Sequence, residues 1–305
     1  MKILVMGGTR FVGKSLVNKL LSKGVKVDIF TRGNKQIPHG VNFIKGDRNQ
    51  IDDIKQISNN NYDYIFDISG RELEQTRLLV DNLNASFNRY IYVSSAGVYK
   101  DIDEIPLSEN DAIDKESRHK GKYETEDWLI SENIPFTSFR PTYIYGPDNY
   151  NKIENWFFER LINTKTVPIP GDGLLVTQLG HVSDLTDAMI TSIEFEKTKN
   201  QIYNCSGDKG VTIKGLIYNC AEVCNVNIND VKLRTFDYKK LDPKSRKSFP
   251  LRLTHYLTAT DKLRSDTNWL PKYDLLRGLK NSYDNDFIYK MKTPFDQECD
   301  EILFK

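Results

Sequence analysis

No long hydrophobic run occurs in this sequence, and no apolar stretch approaches the roughly 20 residues of a membrane-spanning helix. The first residues enter a strand-like apolar run directly, without the longer apolar region and small-residue cleavage site of a secretory signal. We therefore predict a cytoplasmic protein with no membrane partner.

Cysteine is also scarce, with four residues at positions 205, 220, 224 and 299 and no Cys-x-x-Cys pair. Cys220 and Cys224 are spaced to share one face of a helix, which favours buried thiols in a reducing compartment over a disulfide or metal site. The polar residues His119, His181, Asp184 and Asp148 lack the spacing of a known catalytic motif. We predict no resident metal site.

An excess of one charge is missing as well, because 43 Lys and Arg residues nearly balance 42 Asp and Glu residues. A net charge of +1 gives no global attraction for nucleic acid, so any such partner must bind a local patch. Residues 232–252 form the best candidate, with eight basic and two acidic residues and a net charge of +6.

Aromatic residues Phe236, Tyr238 and Phe249 lie within this basic segment. Basic side chains neutralise phosphates, and aromatic faces can stack unpaired bases. The alternative is a solvated rim of the molecule. The predicted RNA contacts in the segment are Lys239, Lys240, Lys244, Arg246 and Lys247.

Short apolar runs alternate with helical patterns in the first half of the chain. The runs have the length of buried strands and lie at residues 2–6, 25–30, 41–44, 62–68, 90–94 and 136–139. Helical spacing follows the first run and ends at Gly24, a residue type common just beyond helix C-termini. This alternation predicts the α/β class with a doubly wound parallel sheet.

The alternation becomes less regular beyond residue 147, where prolines, glycines and aromatic residues accumulate. We predict a core domain at 1–147 that is continued by about 181–206. A smaller C-terminal lobe comprises 148–180 and 207–293. Residues 294–305 form an acidic tail that we expect to be loosely ordered.

A glycine loop, residues 7–13, follows the first predicted strand and reads Gly-Gly-Thr-Arg-Phe-Val-Gly. Dinucleotide-binding loops place glycines here so that amides at a helix N-terminus can meet a pyrophosphate. Arg10 replaces the usual middle glycine, so its side chain either folds over the phosphates or blocks them. We hypothesise that it makes the loop a general phosphate-binding surface; the alternative is a merely solvated side chain.

The second predicted strand leads to Thr31, at the position where NAD-binding proteins present a carboxylate to the ribose. Arg32 follows it, which favours the 2′-phosphate of NADP unless this side chain too is only solvated. NADP is therefore the predicted cofactor. The predicted cofactor-binding residues are Gly7, Gly8, Thr9, Arg10, Phe11, Gly13, Arg32 and Asp47.

Three further stretches, residues 90–99, 140–147 and 181–185, resemble the extended short-chain dehydrogenase/reductases of the nucleotide-sugar epimerase type. The resemblance implies a Rossmann fold and a Ser, Tyr-x-x-x-Lys site in which the tyrosine exchanges the substrate proton. Ser95 and Lys122 match the serine and lysine, but Arg118 stands in place of the tyrosine.

Arg118 cannot act as the base, because a guanidinium stays protonated and offers no acceptor. His119 would point about 100° away if the segment is helical. We predict that the ordinary chemistry is lost, with Ser95, Arg118, His119 and Lys122 as vestigial candidates. Whether the chain is an enzyme stays open.

The same departures occur in the chloroplast stem-loop-binding protein family and its cyanobacterial relatives, a branch of this superfamily. The chain resembles that branch at residues 7–11, 67–72, 117–122, 155–161 and 178–182. The resemblance implies binding of stem-loop RNA, endoribonuclease activity with a divalent metal, and association with ribosomes or the transcription machinery. It also implies a homo-oligomer. Arg118 and Lys120 join the predicted RNA contacts.

The leading prediction is therefore an RNA-binding protein on an epimerase-like Rossmann fold in a cytoplasm of cyanobacterial type. The alternative is an NADP-dependent nucleotide-sugar epimerase or reductase with altered acid and base. A noncatalytic scaffold or ribosome-associated subunit fits the same residues.

Overall fold

A parallel sheet forms the centre of the computed structural model, which describes residues 1–101, 104–290 and 298–304. The strands of the described residues are β1 (Lys2–Met6), β2 (Lys26–Thr31), β3 (Asn42–Lys45), β4 (Tyr64–Asp67), β5 (Arg89–Val93), β6 (Phe136–Pro141), β7 (Tyr143–Tyr145), β8 (Thr166–Pro170), β9 (Val176–Thr177), β10 (Leu179–His181), β11 (Gln201–Cys205), β12 (Val211–Thr212) and β13 (Lys232–Phe236).

Seven of these strands form the central sheet, in the order β11-β6-β5-β4-β1-β2-β3. All its neighbouring strands are parallel. The order reverses between β1 and β4, and doubly wound sheets bind ligands at the carboxyl ends of their strands beside such a reversal. The predicted fold class is confirmed.

Helices cover both faces of this sheet. Those of the described residues are α1 (Phe11–Ser22), α2 (Ile51–Lys55), α3 (Leu73–Val80), α4 (Lys120–Ser131), α5 (Glu154–Asn163), α6 (Val182–Ser192), α7 (Ile213–Val223), α8 (Asp261–Thr267), α9 (Leu275–Ser282), α10 (Ile288–Lys290) and α11 (Glu298–Glu301).

The first strand and helix show how sequence sets this architecture. β1 is almost wholly buried, as expected for a central parallel strand with both faces covered. The buried residues of α1 recur at helical spacing, which gives the helix one apolar face. Behind α1, Gly24 has φ +72° and the Val25 amide donates to the Leu20 carbonyl at 3.1 Å, so the predicted glycine stop is confirmed.

Separate hydrophobic clusters fill the molecule. One sheet face packs against α1 and α6, and the other packs against α3 and α4. A third cluster joins α5, α7, α9, β8 and β13 away from the sheet, around Phe157 and Leu216. The division into lobes at 147, 181 and 206 stays a prediction, which these separate clusters support.

The start of the basic segment forms β13, which pairs in parallel with β8, and the sequence did not predict this pair. Pro168 and Pro170 interrupt β8, and β13 carries alternating basic residues, so neither looks like a buried strand. The short helix α2 was also missed.

The expectation of a loosely ordered tail is wrong for residues 298–304. The Asp300 carboxylate is buried and accepts a hydrogen bond from Arg160 Nε at 3.0 Å, while Leu303 is only 2% exposed. An ion pair between Arg234 and Glu301 adds to this contact. Residues 294–297 and Lys305 lie outside the described residues, as does the side chain of Cys299.

Candidate functional site

The glycine loop turns sharply from β1 into α1. Gly7 and Gly8 have φ values of +115° and +100°, which side chains rarely allow. A Cβ atom at Gly13 would lie 2.6 Å from the Gly8 backbone nitrogen, so only glycine lets α1 begin this close to the loop. The geometry of a phosphate-binding turn is therefore present.

No described side chain caps the N-terminus of α1, which starts beside Arg10. Thr9 and Phe11 flank this residue within the turn, and the Lys14 amide donates to the Arg10 carbonyl at 3.2 Å. The uncapped amides and the positive end of the helix dipole suit an anion.

The Arg10 side chain leaves the loop and stacks on another residue. Its guanidinium carbon lies 4.0 Å from the centre of the Tyr150 ring, and the Phe11 ring meets the same tyrosine edge-on. Lys14 Nζ pairs with Asp148 Oδ2 at 2.6 Å. We call residues 146–151 the contact loop. The sequence predicted neither of these partners.

Arg32 and Asp47 lie together near the carboxyl ends of β2 and β3. Hydrogen bonds from Asn49, with a smaller contribution from the Arg32 charge, lower the pKa of Asp47. Its Oδ1 accepts from the Asn49 backbone amide at 3.0 Å. This pair provides a cation and a carboxylate at the end of the site where the adenosine of a dinucleotide would bind.

Two buried hydroxyls near the carboxyl edge of the sheet have no hydrogen-bond partner among the described residues. Ser94 Oγ follows β5, and Thr142 Oγ1 follows β6. Buried polar atoms normally find partners, so these atoms are suited to a ligand. Together with the glycine loop and Arg32, they fit a dinucleotide.

Asp67, at the carboxyl end of β4, is a buried carboxylate that holds the turn following this strand in place. Burial alone would raise its pKa, but the ion pair with Arg48 and the Tyr90 hydroxyl hold the pKa well below its usual range. Arg48 NH1 lies 2.6 Å from Asp67 Oδ1, which also accepts from the Ser69 and Gly70 amides. This network fixes the turn that carries Arg71.

Lys122 joins the same turn to the neighbouring strand. Its Nζ donates to the Val93 carbonyl at 2.6 Å and to the Gly70 carbonyl. Burial lowers the pKa of Lys122 to about 8. The lysine thus lies at the predicted site, with two of its three donors bound to backbone carbonyls.

Ser95, Ser117 and His119 surround Gly97. The Ser95 side chain accepts from the Gly97 amide at 3.0 Å, and Ser117 Oγ donates to the Gly97 carbonyl at 2.7 Å. A Cβ atom at Gly97 would approach the His119 ring to 2.5 Å. The structure therefore brings the predicted serine and histidine together.

The expectation that His119 points away is wrong, because α4 begins only at Lys120 and the helical rotation does not apply. His119 Nε2 instead accepts a hydrogen bond from Arg118 Nε at 3.1 Å. Burial, and then the charges of Arg118, Arg252, Lys122 and Arg71, lower the pKa of His119 to about 4. The ring is neutral at pH 7.

Arg71, Arg118, Lys122 and Arg252 form what we call the cationic cluster around His119. Neither Arg71 nor Arg118 has an acidic partner among the described residues. Lys120 is exposed at the start of α4. Arg71 and Arg118 therefore present positive charge that no described carboxylate pairs with, whereas Arg252 pairs with Asp101.

Arg252 links the cluster to aromatic residues and to the sheet. Its guanidinium donates to the Gly97 carbonyl at 3.3 Å and pairs with Asp101 at 3.2 Å. It also lies 4.5 Å from the centre of the Tyr256 ring, which packs edge-on against Tyr143. An aromatic wall thus borders the cations.

The exposed basic loop 237–248 follows β13. Lys239, Lys240, Lys244, Arg246 and Lys247 are all exposed. Two of their three aromatic neighbours are not free to stack bases as we expected, because Phe236 and Phe249 are 3% and 4% exposed and pack in the third cluster. Tyr238 is half-buried against the same cluster. The prediction for the basic residues stays untested.

Among the described residues, no group of three or more His, Cys, Asp or Glu side chains could hold a metal ion. None of the described helices has the length and apolar character needed to span a bilayer. Cys205, Cys220 and Cys224 are free thiols, and the first two are buried.

The sequence model of the NAD dependent epimerase/dehydratase family matches residues 3–206, which include the glycine loop, Ser95 and Lys122. The chain belongs to this family. The predicted membership in the superfamily is confirmed.

The chain is also similar to a protein named for stem-loop binding. It is 40% identical to the chloroplast stem-loop binding protein of 41 kDa b from Arabidopsis thaliana, over 100% of this chain and 84% of that protein. The predicted resemblance to the stem-loop-binding branch is confirmed by this match.

Solved structures of epimerases share the fold. UDP-glucose 4-epimerase from Thermotoga maritima, determined with UDP-glucose, has a TM-score of 0.78 at 20% identity and covers 95% of this chain and 99% of its own. UDP-glucuronic acid 4-epimerase from Bacillus cereus, determined with UDP-glucuronic acid and NAD, has a TM-score of 0.77 at 18% identity, with coverages of 95% and 100%.

Sequence reasoning missed several residues of this family member's site. Arg71 lies in the turn four residues after the end of β4, so the rule that ligands meet the carboxyl ends of strands could have found it. Arg252, Tyr150 and Asp148 carry no such signal, because tertiary packing brings them to the site from distant parts of the chain.

Proposed function

We propose that the chain binds RNA in the cleft at the carboxyl ends of β4, β5 and β6. The observation that carries the proposal is Arg118, which lies in the cationic cluster and, like Arg71, has no acidic partner among the described residues. By the family resemblance, it stands where the proton-exchanging tyrosine would be. The similarity to a stem-loop binding protein supports the same function.

The chemistry of the cluster suits phosphodiesters better than proton transfer. Arg71 and Arg118 present guanidinium groups, which bind phosphate oxygens in a bidentate manner and remain charged at any physiological pH. Tyr143 is partly accessible beside them and offers an aromatic edge to an unpaired base. RNA loops expose phosphates and unpaired bases together, which favours a stem-loop over a continuous duplex as the ligand.

The exposed basic loop extends the proposed surface. Arg252 lies only five positions after Lys247, a distance of at most roughly 18 Å along the backbone. An RNA in the cleft therefore passes within reach of Lys239, Lys240, Lys244, Arg246 and Lys247, and Lys120 contributes from the start of α4.

Endoribonuclease activity, ribosome or transcription partners, a homo-oligomer and a cytoplasmic location remain predictions. The divalent metal implied for cleavage finds no supporting cluster among the described residues. We assign no residue to RNA cleavage.

We also propose a dinucleotide at the glycine loop, with NADP favoured by Arg32. Such a cofactor would supply hydride chemistry, with Gly7, Gly8 and Gly13 admitting its phosphates and Asp47 near its adenosine. The alternative function, an NADP-dependent nucleotide-sugar epimerase or reductase, would need a base other than Arg118.

The test is fluorescence anisotropy of a labelled stem-loop RNA with the whole chain at several salt concentrations. We expect the variant R71Q/R118Q to bind about thirtyfold more weakly or worse, since charge-assisted hydrogen bonds to phosphate contribute ~1 kcal/mol or more each. The slope of log affinity against log salt should also decrease, by roughly 0.7–0.9 per lost phosphate contact.

The matched control is K23Q/K26Q, which removes two exposed charges at the opposite, amino edge of the sheet. It should bind RNA like the wild type. Equal losses in both variants would indicate nonspecific attraction and contradict the cleft as the site. Turnover of NADPH with nucleotide sugars, without RNA affinity, would support the alternative function instead.

A further inference from the structure

The contact loop, residues 146–151, touches the start of α1 at three points. Tyr150 carries the Arg10 guanidinium on its ring face at 4.0 Å, and its edge meets Phe11. The Asp148 carboxylate pairs with Lys14 Nζ at 2.6 Å. All three contacts involve residues in the first turn of α1 or immediately before it.

The base of this loop is held by a buried carboxylate. Glu154 is buried and accepts hydrogen bonds from the Gly146 amide at 3.0 Å, from Asn149 Nδ2 at 3.1 Å and from Ser282 Oγ at 2.7 Å. These bonds position the loop from the third cluster. The base of the contact loop is therefore held in place by buried hydrogen bonds.

The tip of the loop is held much more weakly. The side chains of Lys14 and Asp148 are 45% and 46% exposed, and exposed ion pairs contribute little to stability. Asp148 has φ +66°, and Tyr150 is 51% exposed. A competing anion can displace such contacts at small cost.

A dinucleotide places its pyrophosphate at the N-terminus of α1, where it would meet the same two cations. The Asp148 carboxylate introduces a negative charge beside that position and opposes the helix dipole's attraction for anions. Phosphate oxygens and Asp148 thus compete for Lys14, while Tyr150 holds the Arg10 side chain away from the glycine loop.

We propose that the contact loop is a latch, in which Asp148 and Tyr150 hold Lys14 and Arg10 until a pyrophosphate takes them over. The latch makes nucleotide affinity depend on residues outside the glycine loop. It rests on the proposed dinucleotide at the glycine loop, and it stands whether or not the cleft binds RNA.

Isothermal titration with NADP tests the latch in four proteins: wild type, D148N, K14M and K14M/D148N. Asparagine is nearly isosteric and tolerates positive φ, so D148N keeps the loop conformation. We expect D148N to bind NADP about three- to tenfold more tightly, because it removes both an exposed ion pair and a repulsive charge. K14M/D148N should gain less over K14M than D148N gains over the wild type, because only the repulsive charge is then removed.

Adenosine 2′-monophosphate provides a control ligand, because it has the adenosine end but no pyrophosphate. Its affinity should not change in D148N. Y150L gives a second variant, which should also bind NADP more tightly by releasing Arg10. Thermal unfolding of each variant shows whether it is folded.

Several outcomes would overturn the latch. These are equal or weaker NADP binding by D148N, a gain of equal size in the K14M background, or a parallel gain for adenosine 2′-monophosphate. No NADP binding by any variant, the wild type included, would overturn the proposed dinucleotide site itself and the latch with it. RNA anisotropy on the same proteins is a separate readout, so loss of the latch and loss of RNA binding are distinguishable.

Discussion

The glycine loop and the region around Gly97 have departed from the family pattern in different ways. In the glycine loop the backbone geometry is kept and one side chain, Arg10, is directed to a partner outside it. Around Gly97 the family's serine and lysine are kept, but Arg118 and His119 change the chemistry. Backbone constraints preserve a fold's ligand-binding shape, while side-chain replacement determines which ligand it serves.

Asp67 lies beneath the cleft and should give the largest effect. D67N leaves the Arg48 guanidinium buried without its counter-charge, so we expect the free energy of unfolding to fall by about 3 kcal/mol or more. Urea unfolding followed by circular dichroism measures this. D52N, at a fully exposed aspartate of α2, is the control and should change stability little. A loss below about 1 kcal/mol in D67N would contradict the assigned role.

Alanine at the two tightly packed glycines compares the regions directly. In G13A the new Cβ meets backbone atoms of Gly8 at 2.6 Å, whereas in G97A it meets the side chain of His119 at 2.5 Å. A side chain can rotate away and a backbone cannot. We expect G13A to cost about 2–3 kcal/mol and G97A about 1 kcal/mol or less. The same unfolding experiment checks both, and an equal cost would show that both regions are equally rigid.

Fold prediction succeeded where burial dominates the sequence pattern. β1 was predicted with its observed bounds, because a central parallel strand is apolar on both faces. β8 and β13 were missed because their pairing, at some distance from the sheet, depends on backbone hydrogen bonds that prolines and surface charges do not reveal. Local pattern was insufficient there.

Site prediction shows the same division. The glycine loop follows from the spacing of glycines after the first strand, where local geometry requires particular residues. Ser95 and Lys122 were assigned by the family resemblance. The partner of Lys14 is 134 positions away, and no period or motif connects the two. His119 was assigned the wrong direction because the start of α4 could not be located to within one residue.

Acid should destabilise the protein partly through His119. Its pKa is about 4 in the folded chain against about 6.5 when unfolded, so the unfolded state binds more protons between these values. Stability should therefore decrease as pH falls from 6.5 to 4, with ~1–2 kcal/mol from this residue.

Unfolding of H119Q across this pH range checks the contribution, since the variant should lose less stability than the wild type. H39Q, at an exposed histidine, should behave like the wild type. His181, whose pKa burial also lowers to about 4, should leave some pH dependence in H119Q. Identical pH profiles for wild type and H119Q would exclude the assigned environment.

Restoring the family residue with R118Y should give the smallest change in stability, within about 0.5 kcal/mol at this exposed position. We expect no NADP-linked turnover of nucleotide sugars, because residue 118 precedes α4 and Lys122 is bound to the carbonyls of Gly70 and Val93. The slope of log RNA affinity against log salt concentration should become less steep by roughly 0.7–0.9. The absorbance change of reduced nicotinamide and the anisotropy of labelled RNA measure the two effects. Turnover by R118Y would show that Arg118 alone prevents the ordinary chemistry.

The absence of described carboxylate partners for Arg71 and Arg118 has a kinetic consequence. Unbalanced charge in a concave site attracts a polyanion before any contact forms, and it raises the rate of encounter without strengthening the final complex to the same degree. Stopped-flow association with RNA should therefore be fast at low ionic strength and slow steeply as salt is added. A chain with almost no net charge would then find its partner through the field of one cleft.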